Sequence, residues 1–250
     1  MEQLSKARIK LIHSLQHKKY RLKYDKFIVE GLKITKELIR EHQNIVESIY
    51  ISDPDYQSIL SKSGPSDRIC LISTQEMKSI SQMITPPGVL VVCTLPAVRE
   101  IPDDISGKTI FYLEGIRDPG NLGTILRLAD WFGMDMAFLS PDCVDVYNHK
   151  VIQASMSSFL RVHTYEVDQE KLFACGSPIY VCDMGGEDIN RLPAPSEGIF
   201  VLGNESQGVS ESLRNKAHKI IAVSGQRSLG AESLNVASVG AIVGAWLQRD

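Results

Sequence analysis

The chain has 250 residues, 43% of them apolar, and a formal net charge of −3, enough for one large or two small domains, each with its own core. The apolar content excludes a wholly disordered chain, and no apolar run is long enough to cross a bilayer. The opening MEQLSKARIKLIHSL has no signal-peptide pattern, and the five scattered cysteines (Cys70, Cys93, Cys143, Cys175, Cys182) read as free thiols in a reducing, cytoplasmic setting.

Charge is unevenly distributed. Residues 1–42 carry 11 Lys or Arg against 5 Asp or Glu, a balance of +6, which leaves −9 on the rest. A basic front on an acidic body suits either a solvated helix surface or a contact with a polyanion. Within it, Lys18, Lys19, Tyr20, Arg21 and Lys23 form the densest basic and aromatic cluster. The pattern predicts a helix over 2–18, a strand over 27–30, a helix over 32–42 and a strand over 45–51. Strands at 69–72 and 89–93, separated by a helix near 74–83, complete a small α/β module spanning 1–94. Residues 95–108, LPAVREIPDDISGK, lack periodicity and hold two prolines, so they read as a linker.

From 109 to 250 the chain alternates strands (109–114, 136–139, 179–182, 199–203) with helical segments. That rhythm predicts a mostly parallel sheet covered by helices on both faces, a doubly wound α/β fold. A last helix over 233–247 repeats small residues (Ala237, Gly240, Ala241, Gly244, Ala245) at helical spacing. They admit close approach either of the protein's own sheet or of the same helix in a second subunit.

Three loops concentrate chemistry at the ends of strands, where open α/β sheets bind ligands. The first is the turn Asp118-Pro119-Gly120-Asn121 with the helix after it. Asn121 suits an N-cap, and Arg127, set among Leu122, Ile125, Leu126, Leu128 and Ala129, calls for an anion, either a structural carboxylate or a ligand phosphate. The second, VLGNESQGVS at 201–210, matches neither the dinucleotide fingerprint nor the GxxxxGK[ST] phosphate loop. The third, VSGQRSLGAESLNVASVG at 223–240, ends in Ser233-Leu234-Asn235, where Ser233 suits an N-cap. The six histidines have no ligand spacing, and no metal is expected.

Together the loops resemble the three motifs of the SpoU (TrmH) family of RNA 2′-O-ribose methyltransferases, in the SPOUT superfamily. Asn121 with Arg127 resembles the first, Gly203-Asn204-Glu205-Ser206-Gln207-Gly208 the second, and Ser233-Leu234-Asn235-Val236-Ala237 the third. At the front, Lys18-Lys19-Tyr20-Arg21 and Phe27-Ile28-Val29-Glu30-Gly31 resemble the start of that family's ribosomal-protein-like substrate-binding domain. The chain departs from the family at 154–158, which holds no glycine, and at Ala222-Val223, where Pro-Met is common.

The resemblance implies a parallel-sheet methyltransferase domain with a carboxy-terminal deep trefoil knot, a homodimer, and S-adenosylmethionine as cofactor. It implies RNA as the substrate, ribosomal rather than transfer RNA, and a catalytic set of Asn121, Arg127, Glu205, Ser233 and Asn235. Leu202, Gly203, Asn204, Ile221, Leu229 and Leu234 would contact the cofactor, and the 18–23 cluster the RNA. In this reading Arg127 clamps a phosphate and Asn121 orients the ribose, while Glu205 holds either of them in place. A catalytically silent RNA-binding protein of the same fold is the competing expectation.

Overall fold

The computed structural model describes residues 4–60, 66–225 and 232–249. The chain divides into two units. One runs to Val98 and includes Tyr147–Gln153, and the other comprises Arg99–Val146 and the chain from Ala154.

In the first unit the elements are α1 (Lys6–Ser14), α2 (Lys18–Tyr24), β1 (Lys26–Glu30), α3 (Leu32–Glu41), β2 (Val46–Ile51), α4 (Pro54–Leu60), β3 (Ile69–Leu71), α5 (Thr74–Ile80) and β4 (Val89–Thr94). The strands form a sheet in the order β1-β4-β2-β3, in which β4 runs antiparallel to both β1 and β2 while β2 and β3 are parallel. Strand β4 is interior, so VLVVC is buried on both faces and reads as a continuous apolar run. Ile12, Leu15, Ile28, Tyr50, Met77, Ile80 and Leu90 pack together as its core.

The basic helix expected over 2–18 is the shorter α1, and a second helix that was not expected, α2, follows it from Lys18. Helix α1 ends at Ser14, and the Arg21 guanidinium of α2 turns back to donate to the carbonyls of Leu15 (2.8 Å) and Gln16 (3.0 Å). Carbonyls exposed by the break thereby find a donor.

The second unit contains β5 (Thr109–Leu113), α6 (Pro119–Trp131), β6 (Met136–Leu139), α7 (His149–Ser155, whose first residues cluster with the other unit), α8 (Ser158–Arg161), β7 (His163–Glu166), α9 (Gln169–Ala174), β8 (Ile179–Asp188), β9 (Gly198–Leu202), α10 (Glu211–Lys216), β10 (Lys219–Ala222) and α11 (Val236–Trp246). Its six-stranded sheet has the order β10-β8-β9-β5-β6-β7, and every pair is parallel. From β5 the chain winds outward through β6 and β7, then crosses to β8 and returns to β9 beside β5. The carboxyl ends of β5 and β9 thus flank the point where winding reverses, the crevice in which such sheets bind ligands. These two strands pair in step from Thr109↔Gly198 to Leu113↔Leu202, so their following loops leave the sheet at one level. Strands β8 and β10 pair out of step: Ile220 faces Val181, whereas Ile221 faces Glu187.

Two helix starts differ from expectation. Helix α6 begins at Pro119 rather than 121, because Asp118 is the cap: its side chain accepts from the Asn121 N–H (2.8 Å), and Asn121 lies inside the first turn. Helix α11 begins at Val236, capped by Asn235 rather than Ser233. The small residues of α11 serve the protein's own packing. A methyl group on Gly244 would lie 2.3 Å from the Phe132 ring, and one on Gly240 would lie 3.2 Å from Leu202.

At 154–158, Met156 (φ 50°) and Ser157 (φ 79°) adopt the left-handed conformation that glycine takes without strain. The Ser157 hydroxyl is buried with no hydrogen-bond partner.

Candidate active site

Asn121, Glu205 and Asn235 come from three different loops and meet through their side chains. The Asn235 cap fixes the arrangement, since its Oδ1 accepts from the Ala237 (2.9 Å) and Ser238 (3.4 Å) N–H groups at the start of α11. That leaves its Nδ2 to donate to Asn121 Oδ1 (2.9 Å), and Asn121 Nδ2 donates in turn to Glu205 Oε1 (2.9 Å). Each amide therefore has a defined orientation, and the chain ends on a carboxylate with a free oxygen edge among the described residues.

The 203–208 loop is held at its base. Asn204 Nδ2 donates to the Gly115 carbonyl (2.6 Å), its Oδ1 accepts from Ser206 N (2.9 Å) and Gln207 N (3.0 Å), and Asn204 and Gly208 exchange backbone hydrogen bonds. A side chain at Gly203 would lie 2.5 Å from the Gly208 backbone, so only glycine permits this pinch. Glu205, Ser206 and Gln207 are consequently presented outward, exposed.

Arg127 stands apart from this chain of amides. The apolar residues around it in sequence lie on the buried side of α6, whereas Arg127 itself is exposed and makes no ion pair among the described residues. Of the two anions expected for Arg127, no structural carboxylate pairs with it among the described residues, because helical periodicity turns it away from Leu122, Ile125, Leu126 and Ala129. Glu205 bonds Asn121, not Arg127. Ser233 is exposed and has no capping bond.

Among residues expected at a cofactor, Leu202 and Ile221 are fully buried and offer only main-chain groups to the loops. Leu234 is 50% exposed, an apolar surface beside the Asn235 cap, and Leu229 lies outside the described residues. Exposed apolar surface next to a polar helix cap fits a ligand with both an apolar part and polar edges. Among the described residues no three His, Cys, Asp or Glu side chains are grouped to hold a metal, and no helix is long and apolar enough to cross a membrane.

On α2, Lys18, Lys19 and Lys23 are exposed, Tyr20 and Tyr24 stack with their planes 14° apart, and the Lys19 and Lys23 ammonium groups lie 4.8 and 5.5 Å from the Tyr20 and Tyr24 ring centres. Arg21 does not join them. It is 3% exposed and its guanidinium serves the end of α1, so the cluster presented to solvent is Lys18, Lys19, Tyr20 and Lys23. The sequence reading missed Asp118, for which the Asp-Pro pair before a helix was an available signal.

The chain is 26% identical over 97% of its length to the Bacillus subtilis protein named 23S rRNA (guanosine(2553)-2′-O)-methyltransferase RlmP, of which 96% is covered. It is 27% identical to Xenopus laevis mitochondrial rRNA methyltransferase 3 over 61% of this chain and 38% of that one. The fold superposes with a TM-score of 0.84 and 30% identity on a putative RNA methyltransferase of the TrmH family from Porphyromonas gingivalis, covering 98% of both chains. It also superposes with a TM-score of 0.83 and 22% identity on an AdoMet-bound rRNA methyltransferase from Sinorhizobium meliloti, over 99% of this chain and 96% of that one. An MRM3-like substrate binding domain matches residues 6–91, and with the SpoU rRNA Methylase family matching residues 108–245, the chain belongs to that family.

Proposed function

We propose that this protein transfers a methyl group from S-adenosylmethionine to a ribose 2′-hydroxyl of ribosomal RNA. The observation that carries the reading is the Asn235–Asn121–Glu205 chain, which joins all three family motifs in one hydrogen-bonded unit at the β5/β9 crevice. The B. subtilis relative, matched along nearly its whole length, is named for 2′-O-methylation of rRNA, which supports the same reaction here.

S-adenosylmethionine supplies, when bound, an electrophilic methyl group on a sulfonium. Leu234 and the main chain at Leu202, Gly203 and Ile221 are suited to hold it, through apolar cover and backbone hydrogen bonds. The remaining work is orientation, which supplies on the order of 7–11 kcal/mol when reacting groups are held in line. Asn121, its amide locked between Asn235 and Glu205, orients the ribose, and Ser233 lines the pocket edge. Arg127, unpaired among the described residues and exposed on α6, takes the phosphate of the target nucleotide. A guanidinium with a pKa above about 12 is unsuited to removing a proton, so the substrate phosphate or a water accepts it. The Lys18, Lys19, Tyr20 and Lys23 surface grips the RNA backbone and stacks on unpaired bases.

The same reading makes the protein a cytoplasmic homodimer joined through its methyltransferase unit, with the carboxy-terminal segment threaded as a trefoil knot. Trp131, 82% exposed on α6, and Ile242, part-exposed on α11, favour a dimer seam along those helices.

The decisive experiment is transfer of labelled methyl to rRNA lacking the modification, followed by nuclease mapping. Wild type is expected to yield labelled 2′-O-methyl nucleotides, and Arg127→Ala to lose about 10²–10³ in rate, the usual cost of removing one charge-stabilising donor. Absence of both methyl transfer and cofactor binding would overturn the reading in favour of a silent RNA-binding protein.

A further inference from the structure

A second feature of the methyltransferase unit is bordered by Asn204 and does not include Asn121, Glu205 or Asn235 in its lining. It is a cavity of about 390 Å³ at the carboxyl ends of β5, β6 and β7, bordered by Tyr112, Glu114, Asp142, Asp168, Gln169 and Asn204. Three carboxylates line it, the exposed Asp142 and Asp168 and the part-buried Glu114, and none forms an ion pair with a Lys or Arg among the described residues. Their structural duties leave acceptor capacity unused. Glu114 accepts from Gln169 Nε2 (2.9 Å) and Ser210 N (2.8 Å). Asp142 uses Oδ1 for the Ser140 hydroxyl (2.5 Å), and Asp168 uses Oδ1 to cap α9 at Lys171 N (2.8 Å). The Oδ2 atoms of Asp142 and Asp168 accept no hydrogen bond from any described residue.

An acidic cluster alone has many explanations. Tyr112 narrows them. It is 1% exposed, stands next to the carboxyl end of β5 where it borders the cavity, and its hydroxyl has no hydrogen-bond partner among the described residues. Burial first, then the negative charges of Glu114, Asp142 and Asp168, among others, push the phenol's pKa up, so the hydroxyl lies in the field of the same three carboxylates. The ring is buried while the residue lines the cavity, so its oxygen is available to an occupant there.

Unneutralised carboxylates and an unpartnered phenol oxygen ask for an occupant that is positive and rich in N–H donors. The described acids are not grouped to coordinate a metal directly, and a nucleotide phosphate would be repelled. We propose that this cavity binds a protonated alkylammonium group, as carried by a polyamine or by a lysine side chain. Three N–H bonds from one ammonium satisfy the Tyr112 oxygen and two carboxylate oxygens. Asn204 borders the cavity and also ties the Glu205 loop to Gly115, so occupancy steadies the loop that positions Glu205.

Binding is tested without reference to methyl transfer, by calorimetry of the RNA-free full chain with spermidine at low salt, with Nα-acetyl-lysine amide titrated in parallel. One saturable site is expected. Asp142→Asn and Asp168→Asn, which keep the shape and the cap, should each weaken it about tenfold or more, the loss of one charge-assisted bond. Tyr112→Phe should weaken it severalfold, and the exposed Glu170→Gln should leave it unchanged. Tighter spermidine binding assigns the site to a free polyamine, and tighter binding of the lysine amide assigns it to a partner's side chain. The two Asp variants are independent, and thermal melts identify a variant that fails to fold. Absence of saturable binding, binding indifferent to both Asp variants, or a site filled instead by Mg²⁺ or guanosine with the same variant dependence would overturn the proposal.

Discussion

Asn121 uses both ends of its amide, so a change of one atom is informative. Asn121→Asp removes the donor to Glu205 and sets two carboxylates face to face, whereas the helix keeps its Asp118 cap. Methyl transfer in single turnover is expected to fall about 10–100-fold, the range for losing a hydrogen bond to a charged group. The thermal midpoint should move little, because the side chain lies at the surface. The three motifs were legible as sequence because their residue types cluster at strand ends. Which asparagine caps which helix was not, since Ser233 and Asn235 are equally good caps until the geometry of α11 selects one. Nor did the apolar neighbours of Arg127 reveal that it faces outward. Ser157 carries a further prediction at this scale. Glycine at that site relieves the left-handed strain of about 1–2 kcal/mol and removes a buried orphan hydroxyl, so Ser157→Gly should stabilise the protein in denaturant unfolding by about 1 kcal/mol after the entropy cost of glycine.

Among the elements, α11 and α6 depend on each other through absent side chains. The stripe of small residues on α11 was readable, but sequence left its partner open between the protein's own sheet and a second subunit. The structure sets Gly244 against Phe132 at the end of α6, and Gly240 near Leu202 of β9. Gly244→Ala should therefore destabilise, since overpacking costs about 1–3 kcal/mol and exceeds the gain of up to about 1 kcal/mol in helix propensity. A higher melting point for this variant would contradict the packing described. Helix α2 makes the corresponding prediction for RNA. Replacing Lys18, Lys19 and Lys23 by Ala should lower affinity and reduce the slope of log affinity against log salt by about 2, at roughly 0.7 per phosphate contact on single strands.

For the molecule as a whole, all four strands of the first sheet and the interior of the second were readable, and the edges of the second were not. Strands β7 (HTYE) and β10 (KIIA) are four-residue edges without an apolar run long enough to register. Glu30, 3% exposed at the end of β1, gives the first unit a pH response. Burial raises its pKa despite hydrogen bonds from the Ser81 hydroxyl and Gln82 N–H, so the folded state holds the proton more tightly than the unfolded chain. Its favourable contribution is complete below the ordinary glutamate range and is lost as pH rises through the raised value. Glu30→Gln should accordingly gain on wild type in melting temperature as pH climbs from about 4.5 toward neutrality. A constant difference across that range would refute the assignment. Strand β10 has a consequence of a different kind. Its ladder with β8 breaks between Ile220 and Ile221, and it has no strand on its other side among the described residues. Two short runs of rungs cannot support one another as a continuous ladder does, so the amide protons of 219–222 should exchange with solvent sooner than those of β5 and β9, and a strand that carries on to one of the family's motifs is held by the sheet in two separate grips.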